Sequence, residues 1–392
     1  MFFFRDDVIV EKKSFNCNEN HTHYMAKITF NNKNNEFYTS LKFSVDAYFR
    51  DNNLEKTGDW RLFMKTIVLW GAIILMYLTL MLLPVTVIPA ILLCIGMGFT
   101  AACIGFGVMH DANHGSYSPN QKLNDALGLS ANALGASSYF WKQKHNIIHH
   151  TYTNVDGIDD DIAKSPIIRQ CESQKWVPAH KVQHLYLVPV YSLSSIFWIF
   201  VMDFTKYFTR KIYTTEAWEM STKNHIIFWL TKLHYAITFI AIPMYIWGWQ
   251  AWIIGFFAMN AAMGLTLSLV FQLAHVVENT EFENIALDES KHLETAWAEH
   301  QIRTTANFAM GNKVISWFVG GLNYQIEHHL FPRISHVHYP AISKLVQEKC
   351  KEFDLPYNQY GTFSSALASH FRVMKQLGER PVEVALERQQ AA

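Results

Sequence analysis

The chain has 392 residues, of which half are hydrophobic, 15% are aromatic and only 17% are charged, against about 25% charged residues in an average soluble protein. This composition favours a membrane protein, and the zero net charge gives no reason to expect a nucleic-acid partner. The five cysteines are scattered and form no C-x-x-C pair, which argues against a disulfide framework or a zinc–thiolate site and fits a reduced, cytoplasm-facing setting.

Residues 1–60 are polar, and we interpret them as a cytoplasmic N-terminal extension. The opening "MFFFRDDVIVEKK" has no basic region before a long apolar run and no cleavage site of small residues, so we expect no signal peptide.

Two long apolar runs follow, at about 63–83 and 85–109, with Pro84 between them. Each has the roughly 20 residues that a helix needs to cross a membrane, so the pattern predicts a transmembrane hairpin. Lys65 is the single charge of the first run, and we expect its side chain to extend to the headgroups. Two buried helices of a large soluble protein are the less favoured alternative.

Two further apolar runs, at about 226–247 and 251–274, predict a second hairpin. Three tryptophans cluster at its turn, as in an interfacial aromatic belt. A further apolar run, 185–204, contains a proline, three serines and an aspartate. If this run crossed the membrane, the histidine clusters on either side of it would lie on opposite faces. We therefore expect it to lie in the interface or to re-enter.

The predicted fold is an all-α integral membrane protein with four spans and a cytoplasmic helical cap that holds a metal centre. It divides into the extension 1–60, a membrane domain 61–345 and a cytoplasmic tail 346–392. Residues 110–225 carry eleven lysines and arginines, whereas the two hairpin turns carry none. The positive-inside rule therefore predicts that the long loop and both termini are cytoplasmic.

Histidine is unusually abundant, with nineteen copies, and many of them fall into three clusters, "HDANH", "HNIIHH" and "QIEHH". Spacings of three to four residues place side chains on one face of a helix, and His275 ends the last apolar run. The candidate metal ligands are His110, His114, His145, His149, His150, His275, Gln325, His328 and His329. Eight histidines are too many for one ion, which usually takes about four to six ligands, so we expect a dinuclear centre, with zinc, copper, nickel or iron all compatible with imidazole.

The segments "HDANHGS", "HNIIHHTYTN" and "NYQIEHHLFP" resemble the three histidine boxes of the membrane fatty acid desaturase family, and the resemblance covers roughly residues 60–345. It implies that the boxes hold two iron ions, that His275 is an additional ligand, and that Gln325 binds iron or positions a water. It further implies an oxygen-dependent oxidoreductase that removes two hydrogen atoms from adjacent carbons of an acyl chain and leaves a cis double bond and water.

The glutamine of the third box resembles that of the front-end enzymes, which desaturate between an existing double bond and the carboxyl end, and of linoleoyl-CoA-type and acyl-lipid desaturases. Many eukaryotic front-end enzymes carry a fused cytochrome b5 domain with an H-P-G-G motif, which this sequence lacks. The resemblance therefore implies a separate electron donor, a ferredoxin or cytochrome b5 supplied ultimately by NAD(P)H. The acyl substrate would be a CoA thioester or a glycerolipid, in a bacterial inner membrane or the endoplasmic reticulum.

Several other side chains near the boxes are candidates for supporting roles. We expect five polar residues to orient the metal-binding rings, with ordinary helix-surface polarity as the alternative: Asp111, Asn113, Asn146, Asn323 and Glu327. Basic residues that could bind a substrate head group, through coenzyme A phosphates or anionic lipid, are Lys142, Lys144, Arg169, Lys175, Lys181 and Arg333.

The acidic segment "DGIDDD", residues 156–161, is expected to be a solvated turn, with docking of an electron donor as the alternative. Among the remaining histidines, we expect structural or substrate-side roles for His180, His184, His292, His300, His336 and His338. Solvent-facing positions are expected for His21, His23 and His370.

Two rival functions remain open from the sequence. A di-iron membrane hydroxylase of a lipid or alkane chain could use the same boxes, although the glutamine of the third box favours desaturation. A non-enzymatic metal transporter would place its ligands at mid-membrane, whereas these boxes lie at the ends of the apolar runs and in the loops.

Overall fold

A computed structural model of the chain describes residues 28–31, 35–163, 166–284 and 292–381, and most of these residues are helical. The expectations for His21 and His23, and for half of the N-terminal extension, lie outside the described residues.

The α-helices of the described ranges follow in chain order: α1 Glu36–Asp51, α2 Trp60–Leu82, α3 Val87–Ile104, α4 His110–His114, α5 Gln121–Gly128, α6 Ser130–Ala133, α7 Ser138–Trp141, α8 Gln183–Phe197, α9 Asp203–Thr209, α10 Thr222–Ala236, α11 Ile242–His275, α12 Trp297–Arg303, α13 Lys313–Phe318, α14 Gln325–Leu330, α15 Tyr339–Glu352 and α16 Phe363–Gly378. Wider π-helical segments connect or extend some of them: Gly105–Met109, Lys142–His149, Trp198–Met202 and Ile237–Ala241. Short 3-10 helices occupy Pro178–Val182 and His336–His338.

Two-residue strands link the loops: β1 Thr29–Phe30, β2 Val155–Asp156, β3 Lys211–Ile212, β4 Thr215–Glu216, β5 Glu283–Asn284, β6 His292–Leu293, β7 Asn307–Phe308 and β8 Gln359–Tyr360. Strand β1 pairs with β6, β2 with β5, and β7 with β8, all in parallel, while β3 and β4 form an antiparallel hairpin. The parallel pairs join segments that are distant in sequence. Their backbone pairing therefore connects the loops near the histidine boxes to one another.

Within the described ranges, four helical stretches are long and apolar enough to cross a membrane, which suggests a membrane protein: Trp60–Leu82, Val87–His114, Pro178–Thr209 and Thr222–His275. The first two coincide with the first predicted hairpin. The last contains both runs of the second predicted hairpin and turns at Gly248, whose φ of 76° and ψ of 160° suit glycine far better than any other residue.

The stretch Pro178–Thr209 was expected to lie in the interface, although its length and composition alone would allow it to cross a membrane. Both of its ends contact the loop that follows the second histidine box. Near one end, the Arg169 backbone N–H donates to Gln183 Oε1 at 2.9 Å. Near the other end, Lys206 Nζ lies 2.8 Å from Asp160 Oδ2. The stretch therefore begins and ends against one loop, and its interfacial position stays a prediction.

Helices α3 and α11 pack backbone to backbone because a glycine lies at the crossing. A Cβ atom on Gly98 would lie only 1.9 Å from the Met259 carbonyl oxygen, so any larger residue would force the helices apart.

The outward faces of α2 and α3 leave large apolar side chains exposed, including Leu75 and Ile88. Lys65 behaves differently from the expectation: it is 4% exposed and points into the protein, so the prediction that it extends to the headgroups is wrong.

Candidate metal centre

All nine candidate ligands converge in one buried chamber, which we call the histidine chamber. They come from α4, the π-helical segment before His150, the end of α11, and α14. Each of the nine side chains is buried, and the most exposed of them, His114, is only 8% exposed. Tertiary packing therefore brings together every ligand that the sequence pattern predicted.

The chamber holds two neighbouring groups of ligand atoms. The first group is His110, His114, His145 and His328, whose ring nitrogens lie within 4.8 Å of one another. The second group is His149, His275 and His329, within the same distance, together with Gln325. The Gln325 side-chain nitrogen lies 3.0 Å from His275 Nε2 and 3.4 Å from His329 Nε2. His150 lies between the groups and approaches both His328 and His329.

The second box is wound as a π-helix over Lys142–His149, not as the α-helix that its spacing had suggested. The His150 backbone N–H donates to the His145 carbonyl, five residues earlier, and the wider turn brings His145 Nε2 within 3.2 Å of His150 Nε2. The ring of Trp141 stacks on His145 at 4.4 Å between centroids. A π-helical segment also precedes His110. Such segments are rare and are often found at functional sites.

Four rings of the chamber are oriented through the nitrogen that faces away from its centre. His149 Nδ1 donates to Asp159 Oδ2 at 3.0 Å. The other three partners are the Tyr339 hydroxyl for His328, Gln301 Oε1 for His329 and the Thr304 carbonyl for His275, at 3.0, 2.9 and 3.4 Å. A hydrogen bond to Nδ1 fixes the tautomer and turns Nε2 toward a metal. Sequence reasoning missed all four partners, and only Asp159 lay in a segment that it had singled out.

Several inward-facing atoms of the chamber are buried and lack a hydrogen-bond partner among the described residues. They are Nε2 of His114, His149 and His328, Nδ1 of His150 and Oε1 of Gln325. Buried polar atoms nearly always have a partner, and a cation at the centre of each group would satisfy these atoms. A donor set of imidazoles with one amide suits a first-row transition metal and not magnesium or calcium.

Burial, reinforced by the neighbouring imidazoles, lowers the pKa values of four rings well below the usual value: His145, His150, His328 and His329. These rings are therefore neutral at neutral pH, the state in which an imidazole can bind a metal. His149 differs. Burial opposes its positive charge, but the Asp159 carboxylate and its hydrogen bond outweigh burial and raise the pKa of His149.

Comparison with known proteins identifies the chemistry. The sequence model described as "Fatty acid desaturase" matches residues 84–361. The chain belongs to the fatty acid desaturase family. It is thus an oxidoreductase, and iron is the metal that the family implies for the histidine chamber.

Similar proteins include two sn-1 linoleoyl-lipid 6-desaturases. The one from Arthrospira platensis is 34% identical over 92% of this chain and 98% of its own length, and the one from Synechocystis sp. is 35% identical over 88% and 96%. The acyl-lipid (8-3)-desaturase of Physcomitrium patens is 35% identical over 88% of this chain and 72% of its own.

Five polar residues of this desaturase were expected to orient the metal-binding rings. Among them, Asp111 lies nearest to such a ring, that of His110. Its Oδ1 lies 4.0 Å from His110 Nδ1, which is beyond a hydrogen bond. Its Oδ2 accepts from the Ser335 hydroxyl at 2.7 Å and lies 2.9 Å from His336 Nδ1, and His336 Nε2 lies 3.0 Å from Lys65 Nζ. Asp111 therefore ties the first box to α2 and to the segment after the third box.

The other four hold segments of the desaturase together. Asn146 Nδ2 donates to the Asn113 carbonyl at 2.9 Å and so joins the second box to the first. Asn323 donates within the loop before the third box. Glu327 accepts from the Tyr357 hydroxyl at 2.8 Å, and burial raises the pKa of Glu327 to about 7. The described contacts of these four residues link parts of the chain to one another, and the orienting bonds come from other residues.

The predicted head-group residues separate into two kinds. Arg169 is 4% exposed and its guanidinium donates to three backbone carbonyls, so it is not available to a head group. Lys144 lies 2.6 Å from Asp161. Lys142 keeps 39% of its side chain exposed, and Arg333 is exposed. These last two remain candidates.

Two expectations of solvent exposure are wrong. In the acidic segment, residues 156–161, Asp159 is fully buried and Asp160 is 7% exposed, because lysines and His149 surround them. His370 is also fully buried, with its two ring nitrogens 2.7 Å from the Val276 carbonyl and 2.9 Å from the Tyr191 hydroxyl. The histidines expected to be structural include His180, His300 and His338, and these three contact backbone carbonyls.

Proposed function

We propose that this desaturase inserts a cis double bond between an existing double bond and the carboxyl end of a lipid-linked acyl chain. It would use two iron ions, O2 and electrons from a separate protein. The observation that carries the proposal is the convergence of two adjacent groups of inward-facing ligand atoms in one buried chamber.

In this proposal the first group holds one iron and the second group, with Gln325, holds the other, while His150 serves the space between them. Bound there, the iron pair would supply the oxidising power to remove two hydrogen atoms from adjacent methylenes, which no acid or base can do. Each double bond would consume one O2, two electrons and two protons and release two waters.

The protein's own contribution is to hold the rings neutral, to orient them and to exclude bulk water. Hydrogen bonds to the outward nitrogens fix the orientation of four rings, and burial keeps most of them uncharged. Trp141 stacks on His145, and the Phe271 ring lies 5.8 Å from the same imidazole, edge to face. These two aromatic side chains provide an apolar wall beside the first group, against which a hydrocarbon chain would lie.

The names of the similar proteins support the substrate class and the regiochemistry. The two cyanobacterial relatives are named as 6-desaturases of linoleoyl lipids, and the relative from Physcomitrium patens is named as an acyl-lipid desaturase. We infer a glycerolipid substrate over a CoA thioester, with exposed Arg333 and Lys142 near its head group. The sequence contains no H-P-G-G haem motif, so we infer a ferredoxin or a free cytochrome b5 as donor, with the chamber on the cytoplasmic face.

Expression in a host that lacks the activity, fed with linoleate and supplied with a competent electron donor, tests the proposal. We expect a triene whose new double bond lies on the carboxyl side of the existing pair, first in the glycerolipid fraction and not in the acyl-CoA pool. His328→Ala should give no product, whereas His234→Ala, at an exposed position away from the chamber, should remain active. A hydroxylated product would favour the related hydroxylase activity, and an absence of product in an iron-loaded enzyme would refute the substrate class.

A further inference from the structure

Three consecutive aspartates lie directly behind His149 of the second group. Asp159 Oδ2 is 3.0 Å from His149 Nδ1, and Asp161 Oδ2 is 3.5 Å from the same nitrogen. Asp159 is fully buried and Asp160 nearly so. Carboxylates so close together in a buried place repel one another and lose hydration, so this arrangement is stable only if cations neutralise it.

Two lysines provide that neutralisation. Lys206 Nζ lies 2.8 Å from Asp160 Oδ2. Lys144 Nζ lies 2.6 Å from Asp161 Oδ1 and 3.6 Å from Asp160 Oδ2. Three carboxylates against two ammonium groups leave one negative charge on the side that faces His149, where it favours a cation in the chamber.

Lys206 approaches the aspartates from a fixed position. It belongs to α9, and Asp203, one turn earlier on that helix, lies 2.8 Å from Lys232 Nζ of α10. The Lys232 ammonium also donates to the Gly135 and Ile199 carbonyls at 2.6 and 2.9 Å. A buried ammonium with these bonds is costly to displace. The ion pair between α9 and α10 therefore anchors the helix from which Lys206 extends.

We propose that Lys206 and Lys144 are positioning residues for the second group, which clamp the acidic segment so that Asp159 keeps the His149 ring turned into the chamber. The inference rests on the proposed role of His149 as an iron ligand. It links Lys144 to the metal site instead of to a head group, and it explains why the acidic segment is buried.

The role of Lys206 is indirect, and this gives it a distinctive signature. Lys206 contacts Asp160, the Asp160 backbone joins Asp159, and Asp159 contacts His149. Removal of the Asp159 carboxylate should therefore make the lysine nearly irrelevant to iron binding. A residue that stabilises the fold in general would have the same effect on iron binding with or without that carboxylate.

The first experiment measures the rate at which the purified iron-loaded protein loses iron to a chelator. Loss of a residue that supports a ligand commonly weakens metal binding about 10–100-fold, and for Lys206→Met we expect about a tenfold faster loss of iron. Lys206→Arg keeps the charge and should lose iron at close to the wild-type rate. The matched control is Lys211→Met, which removes an exposed lysine shortly after α9 and should behave as wild type.

The second experiment introduces Lys206→Met into an Asp159→Asn protein. There we expect less than a twofold further increase in the rate of iron loss. In the Mössbauer spectrum of the otherwise wild-type protein, Lys206→Met should alter the signal of one iron and leave the other unchanged. Lys144→Met, at a partly exposed position, should likewise speed the loss of iron and alter the signal of one iron, and it replaces Lys206→Met if that variant does not fold.

The outcomes distinguish the role of the two lysines from the metal centre itself. Wild-type iron retention in both lysine variants, or a full tenfold effect of Lys206→Met in the Asp159→Asn protein, would overturn the inference. A wild-type protein that binds no iron would refute the proposed metal centre itself.

Discussion

The two ligand groups of the histidine chamber are held by different means. In the first group, His110 and His114 share the short helix α4, and His145 stacks on Trp141. The first group therefore depends mainly on helical geometry and packing. In the second group, the Nδ1 atoms of His149, His275 and His329 are each hydrogen-bonded to another segment of the chain.

This difference has a physical consequence. Two of the four rings of the first group are carried on one helix and keep their relative positions without external help, whereas each histidine ring of the second group comes from a different segment and needs a partner that fixes it. We therefore expect the first group to tolerate the loss of one hydrogen bond and the second group to be sensitive to such changes. The following predictions test this comparison, beginning with the largest expected effect.

His149→Ala removes a ligand of the second group and should abolish desaturation, a loss of more than about 100-fold, because loss of a partner of a ligand alone commonly costs about 10–100-fold. Product formation in membranes of the expressing host measures the effect, and immunoblotting of the membrane fraction shows whether the protein still inserts. An active His149→Ala enzyme would refute the assignment of the second group.

Asp159→Asn keeps the shape of the side chain but removes the charge that faces His149. We expect about a 10–100-fold weaker retention of iron, confined to the second group, because the ring loses its charged acceptor. Chelator competition measures this, with Asp125→Asn at an exposed site as the matched control. Equal iron retention in the two variants would show that Asp159 does not orient the ring.

Tyr339→Phe removes the hydroxyl that lies 3.0 Å from His328 Nδ1 in the first group. One hydrogen bond contributes about 1 kcal/mol net, and three other rings hold the first group, so we expect at most about a fivefold loss of iron affinity. The same chelator assay applies. A loss as large as that of Asp159→Asn would remove the proposed contrast between the groups.

Acidification should affect the surroundings of the second group through His300. Its Nε2 lies 2.9 Å from the Thr153 carbonyl, and the Thr153 hydroxyl contacts both Gln301 and His329. Burial lowers the pKa of His300 from about 6.5 to about 4, so the unfolded chain takes up the proton first as the pH falls. Stability is therefore lost between about pH 6.5 and pH 4, at up to about 1.4 kcal/mol per pH unit.

His300→Gln should reduce the slope of this pH dependence. Thermal unfolding at several pH values measures it, with His234→Gln at an exposed position as the control. An unchanged slope in the His300→Gln protein would show that this ring does not contribute to it.

The sequence was sufficient to predict which candidate ligands converge and where most of the helices lie, because both depend on local patterns. His110 and His114 are separated by four residues, and the apolar runs are continuous. The interfacial position of the 185–204 run stays a prediction, since it depends on which side of the membrane each histidine box lies.

The orienting partners could not be predicted, because tertiary packing supplies them. Gln301 and Tyr339 lie in segments without a recognisable motif and reach their histidines only in the folded chain. The acidic segment was misjudged for the same reason: its neutralising partner, Lys206, lies on a helix that is remote in sequence. Lys65 and His370 were misjudged because their buried partners come from other parts of the chain. Neither the apolar run that contains Lys65 nor the C-terminal helix that contains His370 indicates those partners.

The most direct test of the central claim is the iron content of the purified protein, measured per polypeptide in the wild type and in His149→Ala. Two groups that each hold one iron predict two ions in the wild type and about one in the variant. A fully active wild type with a single iron, or a His149→Ala protein that retains both ions, would contradict the account.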